Sequence, residues 1–407
     1  MQVILRVDAT LPCRPIGERA KAGSIRPNSD QCDAGRTGDD RPNTSQASTD
    51  NRGRTIMQPE TATPAPARLN FPFPEPPRFG EVTEVRPGLL WLRLPLPFQL
   101  DHVNIYLIQD TDGWAILDTG LSEDEALAVW DGYFDGPLGG LKITRIVVTH
   151  HHPDHIGLAG WLCKRFKAPL LTSLSSYMSC RIISLDPQAF ESPANRLFYE
   201  SHGMDDDAAR IVSTQGHEYL RQVGPLPDTF LRLVMGDTLT LGDRNFRVLT
   251  GDGHSAEQVM LYCEKDRLLF VADQVLERIS PNVAVWAGEP DGDPLGHFLR
   301  SLRLLASQIP NDVLVLPGHR RPFYGLHERT QELVQHHETR CRVLANACET
   351  GAHSVAELVP LLFSRPLDPH QMGFAFAETL AHANRLVRQG ILDVVSRHDR
   401  YAFTARR

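Results

Sequence analysis

The sequence predicts an α+β protein, with layered sheets and helices followed by a small winged-helix-like unit. Three observations carry this. Short apolar runs of strand length alternate with segments of helical period across residues 79–326. The C-terminal stretch reads helix, helix, hairpin. All 5 Trp, 8 Tyr and 17 Phe lie beyond residue 70, so the core is built there.

Residues 1–78 are expected to be a disordered tail and linker. The first 70 residues are rich in Asp, Asn, Ser, Thr, Arg and Gly, too polar to offset chain entropy by burial. Seven prolines between Pro59 and Pro77 read as an extended linker, and Met57 is a second candidate translation start.

Order is expected from Phe79. Runs at 81–86, 89–94, 103–108 and 114–117 are strand-like and separated by Pro-Gly or Asp-Gly turns. Ser122 and Glu125 have capping-box spacing before a helix through Trp130. Residues 141–149 end in the apolar run of a buried strand. A helix at 157–166 and a strand at 168–172 follow. Residues 174–233 turn helical and polar and are expected to form an insertion or lid. Strands resume at 238–241, 246–249, 258–262 and 268–271. Leu295, Phe298, Leu299, Leu302 and Leu305 mark one face of a helix, and 313–316 is a last buried strand. A linker helix and the C-terminal unit occupy 327–407. Ser354 and Glu357 form a second capping box, 374–388 is helical, and 391–395 with 401–404 form a hairpin.

Composition excludes several classes. No run of about 18 apolar residues exists, so no transmembrane helix and no membrane partner are expected. The charge of −8 argues against wholesale coating of nucleic acid. Seven cysteines at irregular spacing, without CxxC, argue against a disulfide framework or cysteine zinc site. They fit a reducing compartment, and with no apolar leader the expected location is cytoplasmic.

The excess of histidine, 17 residues, has a focus. Thr149-His150-His151-His152-Pro153-Asp154-His155 follows a buried strand. A strand-end loop can aim alternate donors at two adjacent cations, and imidazole with carboxylate suits Zn²⁺, with Fe or Mn also compatible. His254 sits in a Gly-Asp-Gly-His-Ser loop, Asp273 ends an apolar run, and His319 follows Pro317-Gly318. His150, His152 and His254 would hold one metal. Asp154, His155 and His319 would hold the other, with Asp273 bridging. His151, at the intervening position, is expected to be no ligand. His202, His217, His297, His336, His337, His353, His370, His382 and His398 are expected at the surface.

These motifs, together with Leu117-Asp118-Thr119-Gly120, resemble the metallo-β-lactamase superfamily of hydrolases over residues 80–330. The resemblance implies a four-layer αββα sandwich with two metals at one edge, and all seven ligand positions are matched. It brings in glyoxalase-II-like thioesterases, lactonases and RNases, and a branch with a C-terminal winged-helix-like appendage. Asp118 is expected to orient the metal loop through hydrogen bonds.

The expected reaction is hydrolysis by a metal-bridging hydroxide, with Asp154 or the metal-bound water protonating the leaving group. No GxSxG or papain-like cysteine context offers a covalent alternative. Substrate is expected to be a small thioester, ester or lactone. Tyr177, Met178, Phe190, Leu197, Phe198 and Tyr199 either line an acyl channel or pack the insertion down. Residues 279–283 are expected to form a cleft wall, and Arg320, Arg321 and Tyr324 either meet an anionic substrate or stay solvated. A metal-dependent endoribonuclease ranks second: from Ser354 on, 7 Arg face 5 acids, a weak basic footprint. The C-terminal unit is therefore expected to pack or to form a homodimer. A non-catalytic binding protein ranks third.

Overall fold

A computed structural model of the chain describes residues 69–98, 100–186, 188, 192–213, 216–397 and 400–407. The expected tail, most of the linker and Phe190 lie outside the described residues. Ordered chain begins earlier than Phe79. Asn70 and Tyr324 exchange backbone hydrogen bonds of 3.1 and 2.8 Å, and Phe73 packs edge-on against Trp91. Apolar side chains between the prolines give this stretch something to bury.

One sheet has seven strands in sequential order: β1 Thr83–Arg86, β2 Leu89–Pro95, β3 His102–Asp110, β4 Gly113–Leu117, β5 Ile143–Val147, β6 Leu170–Thr172 and β7 Leu231–Arg232. Its first connections are antiparallel turns. From β4 onward the strands run parallel, through helices α1 Asp124–Asp135, α2 Pro153–Ile156 and α3 Ala159–Phe166. The expected Ser122 cap is not made: Glu123 is the N-cap and makes no side-chain cap hydrogen bond, while Ser122 N–H bonds the Gln222 carbonyl. Tertiary contact with the insertion has overridden the local motif.

The insertion comprises α4 Leu174–Leu185, α5 Pro193–Ser201, α6 Asp206–Ser213 and α7 Gly216–Gln222. The second sheet follows, from β8 Thr238–Leu241, β9 Arg244–Gly251, β10 Gln258–Cys263, β11 Leu268–Ala272 and β12 Leu314–Pro317, ordered β12-β11-β10-β9-β8. Helix α8 Pro294–Gln308 crosses from β11 to the parallel β12 and buries all five residues of its expected face.

Strand alternation makes the layers. On β10, Val259, Leu261 and Cys263 enter a core shared with Trp91, Tyr106 and Leu117 of the first sheet. Met260 and Tyr262 enter a second core, under α8. The other face of the first sheet buries Val103, Ile105 and Leu107 against Trp130, Leu162 and Cys180 of its helices. Helix, sheet, sheet, helix is the result.

The chain closes with α9 Leu326–Glu349, α10 Val355–Leu362, α11 Pro369–Arg388 and the hairpin β13 Leu392–Arg397 and β14 Arg400–Ala405. The Ser354–Glu357 capping box is formed. These helices share the α8 core, and the described residues from 69 on form one compact unit. Three histidines expected at the surface, His202, His337 and His382, are buried. On α9 the stripe Arg329, Leu333, His337, Cys341, Leu344, Cys348 is the inward face. Its 3–4 spacing was readable, but the polar members disguised it. No helix among the described residues is long and apolar enough to cross a membrane.

Candidate metal centre

The parallel pairs β4–β5 and β11–β12 bring their carboxyl ends to one edge of the sandwich. The chain just beyond β4, β5, β9, β11 and β12 supplies Asp118, the 150–155 loop, His254, Asp273 and His319. Two backbone features aim these groups. A register shift on β11 leaves Ala272 at φ 43°, and Asp273 turns in from that kink. Gly253, at φ 106°, lets the His254 loop lie against α8, where a Cβ would collide with Phe298.

The structure brings together all seven residues expected as ligands. His150, His152 and His254 offer atoms within 4.8 Å of one another, as do Asp154, His155 and His319, and His150, His155 and Asp273. Asp273 stands between the groups: Oδ1 is 3.5 Å from His155 Nε2, while Oδ2 is 3.5 Å from His254 Nε2 and 3.3 Å from His319 Nε2. Asp154 Oδ2 is 3.2 Å from His319 Nε2.

Four of the five imidazoles have their outer nitrogen bonded to a neighbour. Asp118 Oδ2 takes the His155 Nδ1–H at 2.8 Å and the Thr149 hydroxyl at 2.9 Å, and Oδ1 takes the Thr149 N–H. With its proton committed, Thr149 Oγ1 accepts from His150 Nδ1 at 3.0 Å. His254 Nδ1–H donates to the Asn282 carbonyl at 2.8 Å, and His319 Nδ1–H to the His102 carbonyl at 2.7 Å. Each of these four rings therefore turns Nε2 inward. His155 Nε2, His254 Nε2 and Asp273 Oδ1 are buried there without a hydrogen-bond partner. Buried polar atoms are rarely left so, and this donor set fits divalent cations.

Burial and neighbouring imidazoles hold His150 and His152 well below the usual histidine range, and burial likewise lowers His254. His155 and His319 go the other way. Burial opposes their charge, but Asp154 and Asp273 outweigh it, raising His155 well above its ordinary value and His319 to about 10. Burial pushes Asp154 up, and His155 with His319 more than reverse it, leaving a carboxylate.

His151 belongs to none of the three groups; its Nδ1 is 3.1 Å from Ser255 Oγ. Tyr177, Phe198 and Tyr199 are buried in the apolar cores. Met178 and Leu197 are exposed. Arg321 pairs with buried Glu277, and the Tyr324 hydroxyl accepts from Arg86. His102 and Asn282 had no signal in the sequence, because both act on the site through backbone carbonyls.

A buried His/Asp cluster at the edge of an αββα sandwich defines a metal-dependent hydrolase. The sequence pattern described as the metallo-β-lactamase superfamily matches residues 99–319, and that of the metallo-β-lactamase-like C-terminal domain matches 341–405. The chain belongs to the metallo-β-lactamase superfamily. It is similar to the crystal structure of a β-lactamase domain protein from Burkholderia ambifaria, at 37% identity and TM-score 0.75 over 83% of this chain and 97% of that one. It is 24% identical to the probable metallo-hydrolase YqjP of Bacillus subtilis (strain 168), over 72% of this chain and 91% of the relative. A hydroxyacylglutathione hydrolase of Rhodopseudomonas palustris (strain ATCC BAA-98 / CGA009) is 28% identical over 33% of this chain and 34% of its own length.

Proposed function

We propose that the protein is a dinuclear metal hydrolase acting on a small acylated substrate, a thioester, ester or lactone. The observation that carries this is the Asp273 carboxylate, which faces members of both donor triads, His254 of one and His155 and His319 of the other. His150, His152 and His254 would hold one cation and Asp154, His155 and His319 the other, with zinc suited to these donors. Bound there, two cations supply a water made nucleophilic at neutral pH and an electrophile for the substrate oxygen.

The chain's own residues do the rest. Asp118 fixes the His155 tautomer, and Asp154, a carboxylate at rest, would take the proton of the attacking water and pass it to the leaving group. The start of α4 adjoins the His254 loop, since Ser175 bonds Glu257, and its exposed Met178 and Ile182 suit an apolar acyl part. The partial match to a protein named for hydrolysis of an acyl-glutathione supports an acylated substrate. The five described cysteines are free thiols, which fits a reducing cytoplasm.

The test is hydrolysis of acyl thioesters, lactones, bis-p-nitrophenyl phosphate and RNA by metal-loaded protein. Turnover of a thioester or lactone that a chelator abolishes is expected. Cleavage of RNA alone, or of nothing, overturns the reading.

A further inference from the structure

The segment between β11 and α8, residues 273–293, is held at several points by the C-terminal helices. Buried Arg329 on α9 donates to the carbonyls of Leu276 at 2.6 Å and Ile279 at 2.8 Å. Ser280 Oγ is 3.0 Å from His337 Nε2. The Val285 N–H bonds the Ala377 carbonyl of α11 at 3.2 Å. Asn384 donates to the carbonyls of Pro290 and Gly292, and Arg385 bonds Asp293. Midway along this segment lies the Asn282 carbonyl, which receives the His254 Nδ1–H.

The direction of the hydrogen bonds can be followed from one end. His382 Nδ1 lies 2.7 Å from the Glu378 carbonyl, which only accepts, so this nitrogen carries the proton. Burial keeps His382 neutral, so its Nε2 is a lone pair and His337 Nδ1–H donates to it at 3.1 Å. His337, also neutral in its buried place, is left with a bare Nε2 that faces the Ser280 hydroxyl, whose proton it shares with the Pro281 carbonyl at 3.2 Å. His337, Glu378 and His382 have the spacing of a metal triad. Unlike the centre at the sandwich edge, though, none of their donor atoms is a buried atom without a partner.

We propose that the C-terminal helices serve as positioning elements for His254. Arg329 and the chain Ser280–His337–His382 set the backbone at 279–282, and with it the carbonyl that orients the imidazole. The inference rests on His254 being a metal ligand. Ser280, Arg329 and His337 touch no donor of the centre and are positioning residues.

The test measures metal affinity on the full-length protein. Zinc stoichiometry is found by elemental analysis and affinity by competition with a chromophoric chelator. The d–d spectrum of the cobalt-substituted protein is recorded as well. Ser280→Ala and His337→Leu are expected to weaken one of two metal equivalents by about 10–100-fold, the effect of losing a partner behind a ligand. The second equivalent should remain and the cobalt spectrum should shift, while Ser280→Thr, which keeps the hydroxyl, restores both. A purely structural role would lower Tm and leave both affinities at wild-type values or lose both together; either result overturns the inference. Wild-type protein that takes up no metal overturns the metal reading as well. Two wild-type equivalents untouched by the variants overturn this inference alone.

Discussion

His155 Nδ1 and Asp118 Oδ2 are 2.8 Å apart, with both side chains buried. The same carboxylate takes the N–H and hydroxyl of Thr149, so one side chain orders both ends of the 149–155 loop. Asp118→Asn keeps the shape but puts an NH₂ where one carboxylate oxygen accepts, either from the Thr149 N–H or from His155 Nδ1–H and the Thr149 hydroxyl. Metal affinity at the His155 side is expected to fall about 10–100-fold. Chelator competition on the folded variant checks this; unchanged affinity would mean the carboxylate only shapes a turn.

His152→Ala removes a donor that lies 3.0 Å from His150 Nε2. Bound metal and hydrolysis are expected to fall together. Metal-bound protein should also melt higher than chelator-treated protein, since a ligand that binds only the native state stabilises it. Undiminished metal content and turnover in the variant would remove His152 from the centre.

Gly318 sits where a Cβ would run into Asp273 Oδ1 and come within 2.8 Å of His155 Cε1. Gly318→Ala therefore presses on two donors at once. Overpacking of this kind costs about 1–3 kcal/mol, and the displacement falls on the carboxylate between the two triads. The expectation is a folded protein by circular dichroism with hydrolysis reduced at least tenfold. Wild-type turnover would show that the carboxylate tolerates a shift.

Acid should weaken the fold through the buried His337–His382 pair. An unfolded histidine titrates near 6.5, whereas burial brings His382 down to about 3. Between those values the unfolded chain binds a proton that the folded chain does not. This contribution is complete above pH 6.5 and is lost as the pH falls toward 3. Tm of metal-free wild type and His382→Gln, followed from pH 8 to 4, should show a shallower decline in the variant. Parallel curves would contradict it.

Much of the site was legible because its chemistry is local. His150, His152, Asp154 and His155 share one loop, and His254, Asp273 and His319 each follow an apolar run that reads as a strand. What stayed hidden depends on packing between distant segments. Tyr177, Phe198 and Tyr199 read as apolar, but pattern alone does not say whether they face a channel or a core. Ser122 has the spacing of a cap, yet its amide is drawn to Gln222. His337 and His382 look like surface residues until α9 and α11 are laid together. The carbonyls of His102 and Asn282 carry no side-chain signature at all.

Asp273 and the 150–155 loop belong to different sheets, and His319 lies 164 residues beyond His155. The Thr149 carbonyl receives the Val259 N–H, and the Asn104 N–H bonds the Gly318 carbonyl, so the sheets are stitched together beside the donors. During folding, neither half alone presents a complete set of donors. Long-range closure of this kind is slow. Metal capture would then report the docking of the two sheets, and a chain whose sheets have met wrongly would lack a complete centre.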